Sequence, residues 1–510
     1  MKTMLRKVRR RGREADPGPF LFHVDRKEVH MATGGYRGSI EGWVLRERYR
    51  AARRVWIRLG EEEVDAVRIY RPDVIRSPGG NPADHELPGF AVELPLVPGP
   101  RRLELWAEDE EGERALLLCE AFDPGEHCDP AEDPENRFST FRFVTELPWR
   151  ECRGSLPPAG SPLSFQWVIP DFGRGSGGHA AIFRTIQALE AKGHRCRIWI
   201  FHRSRHGSPE RVRRVIGEAF VPVEAEVRFL EIADIGLIEG DVGVATDRWT
   251  AYYLRAAESL AHRFYLVQDF EPDFYPKGSA YFLVEDTYRF GFTAIASSGW
   301  LAEKLSRYSG ESAAVFGYGI DHDIYRPREG GTGASDRHRI VFYARAATSR
   351  RVVEIAVLAL ELLGKRRTDF TVDFFGEDLS DFQAPFDFVN RGVLSAGELA
   401  DLYRGGTLGI VFSATNHAIL AKEMMACGLP VLELEGENLA GIYPPGSLRT
   451  VPPEPTAVAA VIEELLDDPE ERRRIREAGL SFTRGISWTE EIGKVVRAIE
   501  GRLESERRDA

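Results

Sequence analysis

Glu423 stands near the start of a helix-like run, Ala418 to Cys427, that follows the apolar stretch Ile410 to Phe412 and the small polar loop Ser413 to His417. A helix N-terminus offers unpaired backbone N–H groups to an anion. A carboxylate one turn further in can accept hydrogen bonds from hydroxyls. This unit therefore suits a ligand that carries both phosphate and ribose. The plainer alternative is an ordinary strand–helix unit whose Glu423 faces solvent. Arg345, Arg350 and Arg351 share the loop after Arg339 to Tyr343. Guanidinium is planar, permanently charged and bidentate, so this loop suits a diphosphate; otherwise it is a charged surface loop.

Two further loops carry reactive residue types. Pro170 to His179 reads P-D-F-G-R-G-S-G-G-H. Its Gly177 and Gly178 permit close approach of a ligand to the backbone. The spacing is not G-x-G-x-x-G, and no acidic residue ends the next strand, so a dinucleotide site is not expected. Gln268 to Asp273 reads Q-D-F-E-P-D. Its carboxylates invite a metal reading, but no nearby histidine completes a ligand set, so neither metal nor cofactor is expected. Asp269 and Glu271 suit acceptor hydroxyls or loop capping. Asp171, His179 and Asp269 are candidate general bases, and His179 alternatively orders its own loop.

The elements that must position these residues alternate between strands and helices from Leu163 onward. Phe165–Ile169, Ala180–Lys192 and Arg195–Phe201 form a βαβ unit, with the glycine loop at the carboxyl end of its first strand, where open α/β sheets bind ligands. The pattern continues to Tyr325-Arg326-Pro327, and residues 328–337 form a Gly-rich connection. A second α/β series starts at Arg339. It includes Val352–Leu363, Phe370–Phe375 and a helix opening on the Ser395-x-x-Glu398 capping box. The expected boundaries are a basic tail (1–19), a β-rich domain (20–122), a linker (123–162), α/β domains at 163–327 and 338–485, and a C-terminal helix and tail (486–510).

Residues 20–122 show short period-2 runs between turns: 39–45, 55–59, 64–70, 89–96 and 102–107, with a charged turn at 108–114. That spacing predicts a β-sandwich. Trp43, Trp56 and Trp106 read either as exposed sugar-stacking rings or as core.

Composition limits the function classes. The 510 residues are 43% hydrophobic and 29% charged, which fits several globular domains. A net charge of −12 argues against general nucleic-acid binding. No run of about 18 apolar residues is present to span a membrane. Residues 1–13 are basic and no apolar segment follows, so they read as a tail rather than a secretory signal; the sharper reading is peripheral contact with anionic lipid. The five scattered cysteines read as reduced thiols of a cytoplasmic protein.

Taken together, the motifs resemble those of a known family. Gly177–His179, the Gly319-Ile320-Asp321…Tyr325-Arg326-Pro327 segment, Leu394–Tyr403 and above all Glu423–Val431 are similar to family 4 glycosyltransferases of the GT-B fold, over about residues 163–505. Within that family the chain looks most like bacterial rhamnosyltransferases of S-layer-glycan and polysaccharide assembly, which share the glycine loop, the V-Q-D-x-E run and an N-terminal β-rich domain. The resemblance implies two Rossmann-like domains and a nucleoside-diphosphate sugar donor. It also implies a glycan or lipid-linked acceptor and retention at the anomeric carbon. Glu423 would hold the ribose. Arg345 and Arg350 would stabilise the leaving diphosphate. The family's first glutamate, which lies near the transferred sugar, falls at Thr415 here, so sugar contact passes to Thr415, Asn416, His417 or backbone. That loss motivates one alternative, a non-catalytic carbohydrate-binding or scaffolding protein; a second is a nucleotide-sugar epimerase on the same two-domain fold.

Overall fold

A computed structural model of the chain describes residues 20–32, 35–46, 52–60, 62–69, 89–96, 101–122, 141–173, 175–201, 208–328, 337–379, 382–416 and 419–509. The chain divides into two units, Met1–Glu146 and Leu147–Ala510.

The first unit is built from two four-stranded antiparallel sheets. Strands β1 (Phe20–Ala32), β2 (Gly35–Arg46), β6 (Gly89–Leu96) and β5 (Val67–Ile69) form one. The other holds β4 (Glu62–Asp65), β3 (Arg54–Leu59), β7 (Arg101–Glu108) and β8 (Arg114–Phe122). Alternation sends Val55, Ile57 and Leu59 of β3 into a core shared with Ile40, Val44, Phe90 and Val92 of the other sheet. The period-2 run at 64–70 is broken in the middle. Val64 pairs within one sheet and Val67 within the other, so the run crosses between sheets near Ala66. Asp109 closes the charged turn by accepting the Glu111 and Glu113 N–H groups, each at 2.9 Å. Trp56 is not an exposed platform. It is 2% exposed, lies near-parallel to Trp106 with centroids 6.0 Å apart, and has the Arg54 guanidinium 4.6 Å over its ring. Trp43 and Trp106 are half-buried.

The second unit contains two parallel sheets. The first has the order β11 (Glu226–Leu230), β10 (Arg195–Phe201), β9 (Ser164–Pro170), β12 (Val242–Ala245), β13 (His262–Val267), β14 (Thr293–Ala296), β15 (Ala314–Val315). The second has the order β18 (Phe388–Asn390), β17 (Phe370–Phe375), β16 (His338–Tyr343), β19 (Leu408–Ile410), β20 (Val431–Leu434), β21 (Arg449–Val451). In each, the first strand in sequence lies inside the sheet and the order reverses beside it, so the loops after β9 and β16 open at a switch point. The Ser395–Glu398 capping box forms as its spacing predicts. The helices Pro209–Ala219 and Ser279–Asp286 fall where the sequence reading placed no element. Residues 147–154 are not a free tether. The N–H groups of Arg150, Arg153 and Gly154 donate to the carbonyls of Arg255, Glu258 and Leu260.

The final helix, Trp488–Asp509, returns from the second sheet to the first. Ile492, Val495, Val496, Ile499 and Leu503 join the core built around β9 and the Gly177–Ala191 helix. Glu491 accepts the Gly317 N–H at 2.6 Å, Lys192 pairs with Glu500 at 2.6 Å, and His262 meets Glu506 at 2.7 Å. The helix start lies directly on the interdomain segment. A Cβ at Gly319 would sit 2.3 Å from both Cα and N of Trp488. Gly319→Val should therefore push backbone against backbone and cost about 1–3 kcal/mol, the range for overpacking. A denaturation midpoint unchanged from the parent chain would contradict this contact.

Candidate functional site

The loops singled out in the sequence meet where the carboxyl ends of the two parallel sheets face each other. The β9 loop ends in the Gly177–Ala191 helix. Gly177 comes so close to Ile419 of the other domain that a Cβ would lie 3.2 Å from its Cγ2. At Gly178 a Cβ would lie 3.2 Å from Gln268 Oε1, and Gln268 Nε2 donates to the Gly178 carbonyl at 3.2 Å. The glycines thus let three chain segments converge where side chains would hold them apart.

His179 serves this loop internally. Its Nε2 lies 3.1 Å from the Pro170 carbonyl, which can only accept, so Nε2 carries the proton. Nδ1 must then accept from the Ser176 hydroxyl at 2.8 Å. The ring stacks on Phe172 at 5.0 Å, and burial pulls its pKa down to about 4. It is a neutral imidazole with both nitrogens engaged. Of the two roles read from sequence, general base and loop anchor, the geometry fits the second.

The β13 loop supplies Asp269. Its Oδ1 accepts the Phe270 N–H at 2.8 Å, and its Oδ2 accepts the Thr415 hydroxyl of the other domain at 2.9 Å. Arg350 Nε stands 3.5 Å from the same Oδ2. Burial raises the Asp269 pKa, while the Arg350 charge and the Thr415 hydroxyl oppose that rise. Asn416 joins the two loops by donating to the Gln268 carbonyl and to Ser297 Oγ, the latter at 3.1 Å. Thr415 and Asn416 are each 4% exposed. Glu271 points away from this meeting place. It takes the Tyr265 hydroxyl at 3.1 Å and lies 3.7 Å from Arg248, and burial pushes its pKa up to about 8.

The arginine loop splits in two. The Arg345 side chain is exposed. Arg350 and Arg351 turn inward. Arg350 stacks over Phe274 at 4.3 Å, and Arg351 lies 5.5 Å over the Tyr343 ring. Arg350 Nε and Arg351 Nε and Nη1 are buried with no hydrogen-bond partner among the described residues. Each such donor costs about 1–3 kcal/mol unless something accepts from it. An anion in this loop would supply the missing acceptors. Beside Arg351, Glu433 of β20 is fully buried. Its Oε1 accepts the Ser413 and Leu434 N–H groups at 2.9 Å, and burial pushes its pKa up to about 8. The signal for Glu433 in the sequence is a lone acid inside the apolar strand V-L-E-L, and for Arg351 its place in the arginine loop.

Glu423 lies on the Ile419–Ala426 helix, half-buried toward the Tyr325 and Asp321 segment. Burial pushes its pKa up to about 7; the Tyr325 hydroxyl beside it lowers it and Asp321 raises it. His417 and Ala418 lie outside the described residues, while Ile419 and Leu420 open the helix, half-buried. The geometry thus gathers Gly177, Gly178, Asp269, Arg350, Thr415, Asn416 and Ile419 at one cleft. It sets Glu423 on the helix that borders the cleft and leaves Arg345 at the surface.

A carboxyl whose folded pKa is raised holds its proton more tightly than the unfolded chain does, so its contribution to stability is lost as pH rises. For Glu423 that loss should fall between the ordinary value of 4.5 and about 7. Glu423→Gln should gain stability relative to the parent chain across that interval. Parallel stability curves for the two chains over that range would rule out the shift.

Comparison with known proteins bears on the fold of the two parallel-sheet domains. Residues 350–489 fit a family model described as glycosyl transferase-like. The O-antigen biosynthesis protein RfbC of Myxococcus xanthus is 25% identical over 353 residues, 68% of this chain and 28% of that protein. D-inositol 3-phosphate glycosyltransferase 1 of Catenulispora acidiphila is 31% identical over 113 residues, 22% of this chain and 27% of the relative. The chain therefore spans little more than a quarter of the length of these curated relatives. Among solved structures, a glycosyltransferase from Rickettsia africae aligns with a TM-score of 0.51 at 17% identity, over 67% of this chain and 99% of that one. Anabaena HepE in complex with UDP-glucose aligns with a TM-score of 0.53 at 12% identity, over 66% and 100%. The two parallel-sheet domains have the GT-B glycosyltransferase fold, and the second of them carries the segment that fits the glycosyl transferase-like family.

Proposed function

We propose that the chain transfers a sugar from a nucleoside diphosphate to an acceptor hydroxyl in the cleft between its two parallel-sheet domains. The observation that carries this reading is the pair of inward arginines, Arg350 and Arg351, with three buried guanidinium nitrogens that make no hydrogen bond among the described residues, and Arg350 standing 3.5 Å from Asp269 in the cleft. In this reading Glu423 accepts the ribose hydroxyls. Arg350 holds the diphosphate and opposes the negative charge that develops on the leaving group, as a preorganised cation does. Arg351 becomes its partner, and Arg345 reaches the phosphates from the loop surface. The amides at the start of the Ile419–Ala426 helix add their N–H groups, with Thr415 and Asn416 at the sugar. Gly177 and Gly178 cover the sugar diphosphate from the facing domain. No metal is required, because the arginines supply the countercharge.

The resemblance to retaining family 4 enzymes supports retention, with the leaving phosphate assisting deprotonation of the acceptor. The engaged nitrogens of His179 also speak against a histidine base and hence against inversion through it. The similarity to an O-antigen biosynthesis protein supports a glycan or lipid-linked acceptor and a role in polysaccharide assembly at the cell envelope. Rhamnose as the sugar rests on the resemblance alone. Residues 1–13, which lie outside the described residues, would give peripheral contact with an anionic membrane, and the described helices include none long and apolar enough to cross one.

A thermal-shift screen with nucleoside diphosphates and their sugars tests the reading, since a ligand bound only by the native chain raises its melting temperature. One base should stand out. Glu423→Ala should weaken that nucleotide about tenfold, equivalent to ~1.4 kcal/mol. Arg350→Ala should reduce both affinity and turnover, and Arg345→Ala mainly turnover. Intact sugar binding without turnover across the donor panel would favour the non-catalytic alternative. An isomerised sugar formed without acceptor would favour an epimerase.

A further inference from the structure

Position 415 carries a hydroxyl where the resembled family has a carboxylate, yet a carboxylate is present at that point in space. Thr415 Oγ1 donates to Asp269 Oδ2 at 2.9 Å, and Asp269 belongs to the opposite domain. Asp269 is 14% exposed at its side chain and fixed on both sides. The Phe270 N–H holds Oδ1 at 2.8 Å, and Arg350 Nε stands 3.5 Å from Oδ2. Its loop is tied to the Thr415 loop through Asn416, which donates to the Gln268 carbonyl, and through Ser297, whose hydroxyl donates to that carbonyl at 2.9 Å. A largely buried acid held this way beside a guanidinium whose Nε makes no hydrogen bond among the described residues belongs at a ligand. A mere interdomain tie would need only the neutral Asn416 contacts.

We infer that Asp269 is the sugar-recognising carboxylate of the donor site, supplied by the facing domain, with Thr415 as its positioning partner. The inference rests on the nucleotide-sugar reading above. An ionised carboxylate accepts charge-assisted hydrogen bonds from sugar hydroxyls, about twice as strong as neutral ones. With Arg350 on the diphosphate and Asp269 on the sugar, the two charges that meet in the cleft straddle the bond to be broken. The charged contacts to the nucleotide, Glu423 and Arg350, then come from the second domain, and the first adds only the backbone at Gly177 and Gly178 to them. Sugar recognition is complete only when the two domains are together, because its carboxylate arrives from across the cleft.

The test compares two ligands on the full chain: UDP, GDP or dTDP, whichever binds, and its sugar (UDP-glucose, GDP-mannose or dTDP-rhamnose), by calorimetry. Asp269→Asn should leave the nucleoside diphosphate within about twofold and weaken the nucleotide sugar about tenfold, ~1.4 kcal/mol. Equal weakening of both ligands would mark Asp269 as a domain tie and overturn the inference, as would no change in either. Thr415→Glu built into Asp269→Ala should restore sugar affinity, since the longer acid reaches into the space the aspartate leaves. Failure of that rescue, with nucleoside diphosphate binding intact, would also overturn it. Absence of any nucleotide binding by the parent chain would instead remove the nucleotide-sugar reading, and this inference with it.

Discussion

The return of the Trp488–Asp509 helix onto the first parallel sheet is the constraint on which the cleft depends. Five of its apolar side chains complete a core that the first sheet and its own helices leave open. The Gly319 backbone lies against Trp488 at a distance no side chain would allow. Burial of those side chains, at roughly 25 cal/mol per Å² of apolar surface, outweighs the exposed ion pairs along the helix. With the chain crossing once at residues 317–328 and again at 488, the two domains are held by two neighbouring strands of backbone. That arrangement fixes which loops meet and still allows a hinge.

What meets there is charge in short supply of partners. Arg350 and Arg351 are turned into the protein, and burial alone would make that unfavourable. Asp269 offsets part of it from across the cleft, and the stacking on Phe274 and Tyr343 offsets a little more. Three guanidinium nitrogens are still without an acceptor among the described residues. The diphosphate proposed for this cleft would supply the missing acceptors. The raised pKa values of Glu423 and Glu433 have the same origin in burial, yet their surroundings differ. Glu433 is locked by two backbone donors inside the sheet and supports the Ser413 turn, whereas Glu423 is half-buried beside the Tyr325 hydroxyl and Asp321.

The antiparallel unit shows how alternation can mislead about exposure. Trp56 sits out of phase with the core residues Val55 and Ile57, which in a strand means the outer face. It is nonetheless covered, because Trp106 lies opposite it in register and the arginines on neighbouring positions fold over the rings. Period 2 reports which face a residue occupies. What covers that face depends on partners far away in sequence.

The local signals were strong enough to place most strands and helices of the α/β region. Buried strands such as Phe370–Phe375 and Val431–Leu434 are bounded by glycine, proline and charge, and the Ser395 capping box is written in four residues. The two-domain architecture and the candidate loops were legible for the same reason, since each loop follows directly on a strand. Which side chains of a loop turn inward was not legible. Nothing in A-R-A-A-T-S-R-R distinguishes the exposed Arg345 from the half-buried Arg350 and Arg351, because that choice is made by Phe274, Tyr343 and Asp269 in other segments. The same holds at position 415. By sequence it is a missing acid, and only the pairing of two domains brings Asp269, 146 residues away, to within a hydrogen bond of it.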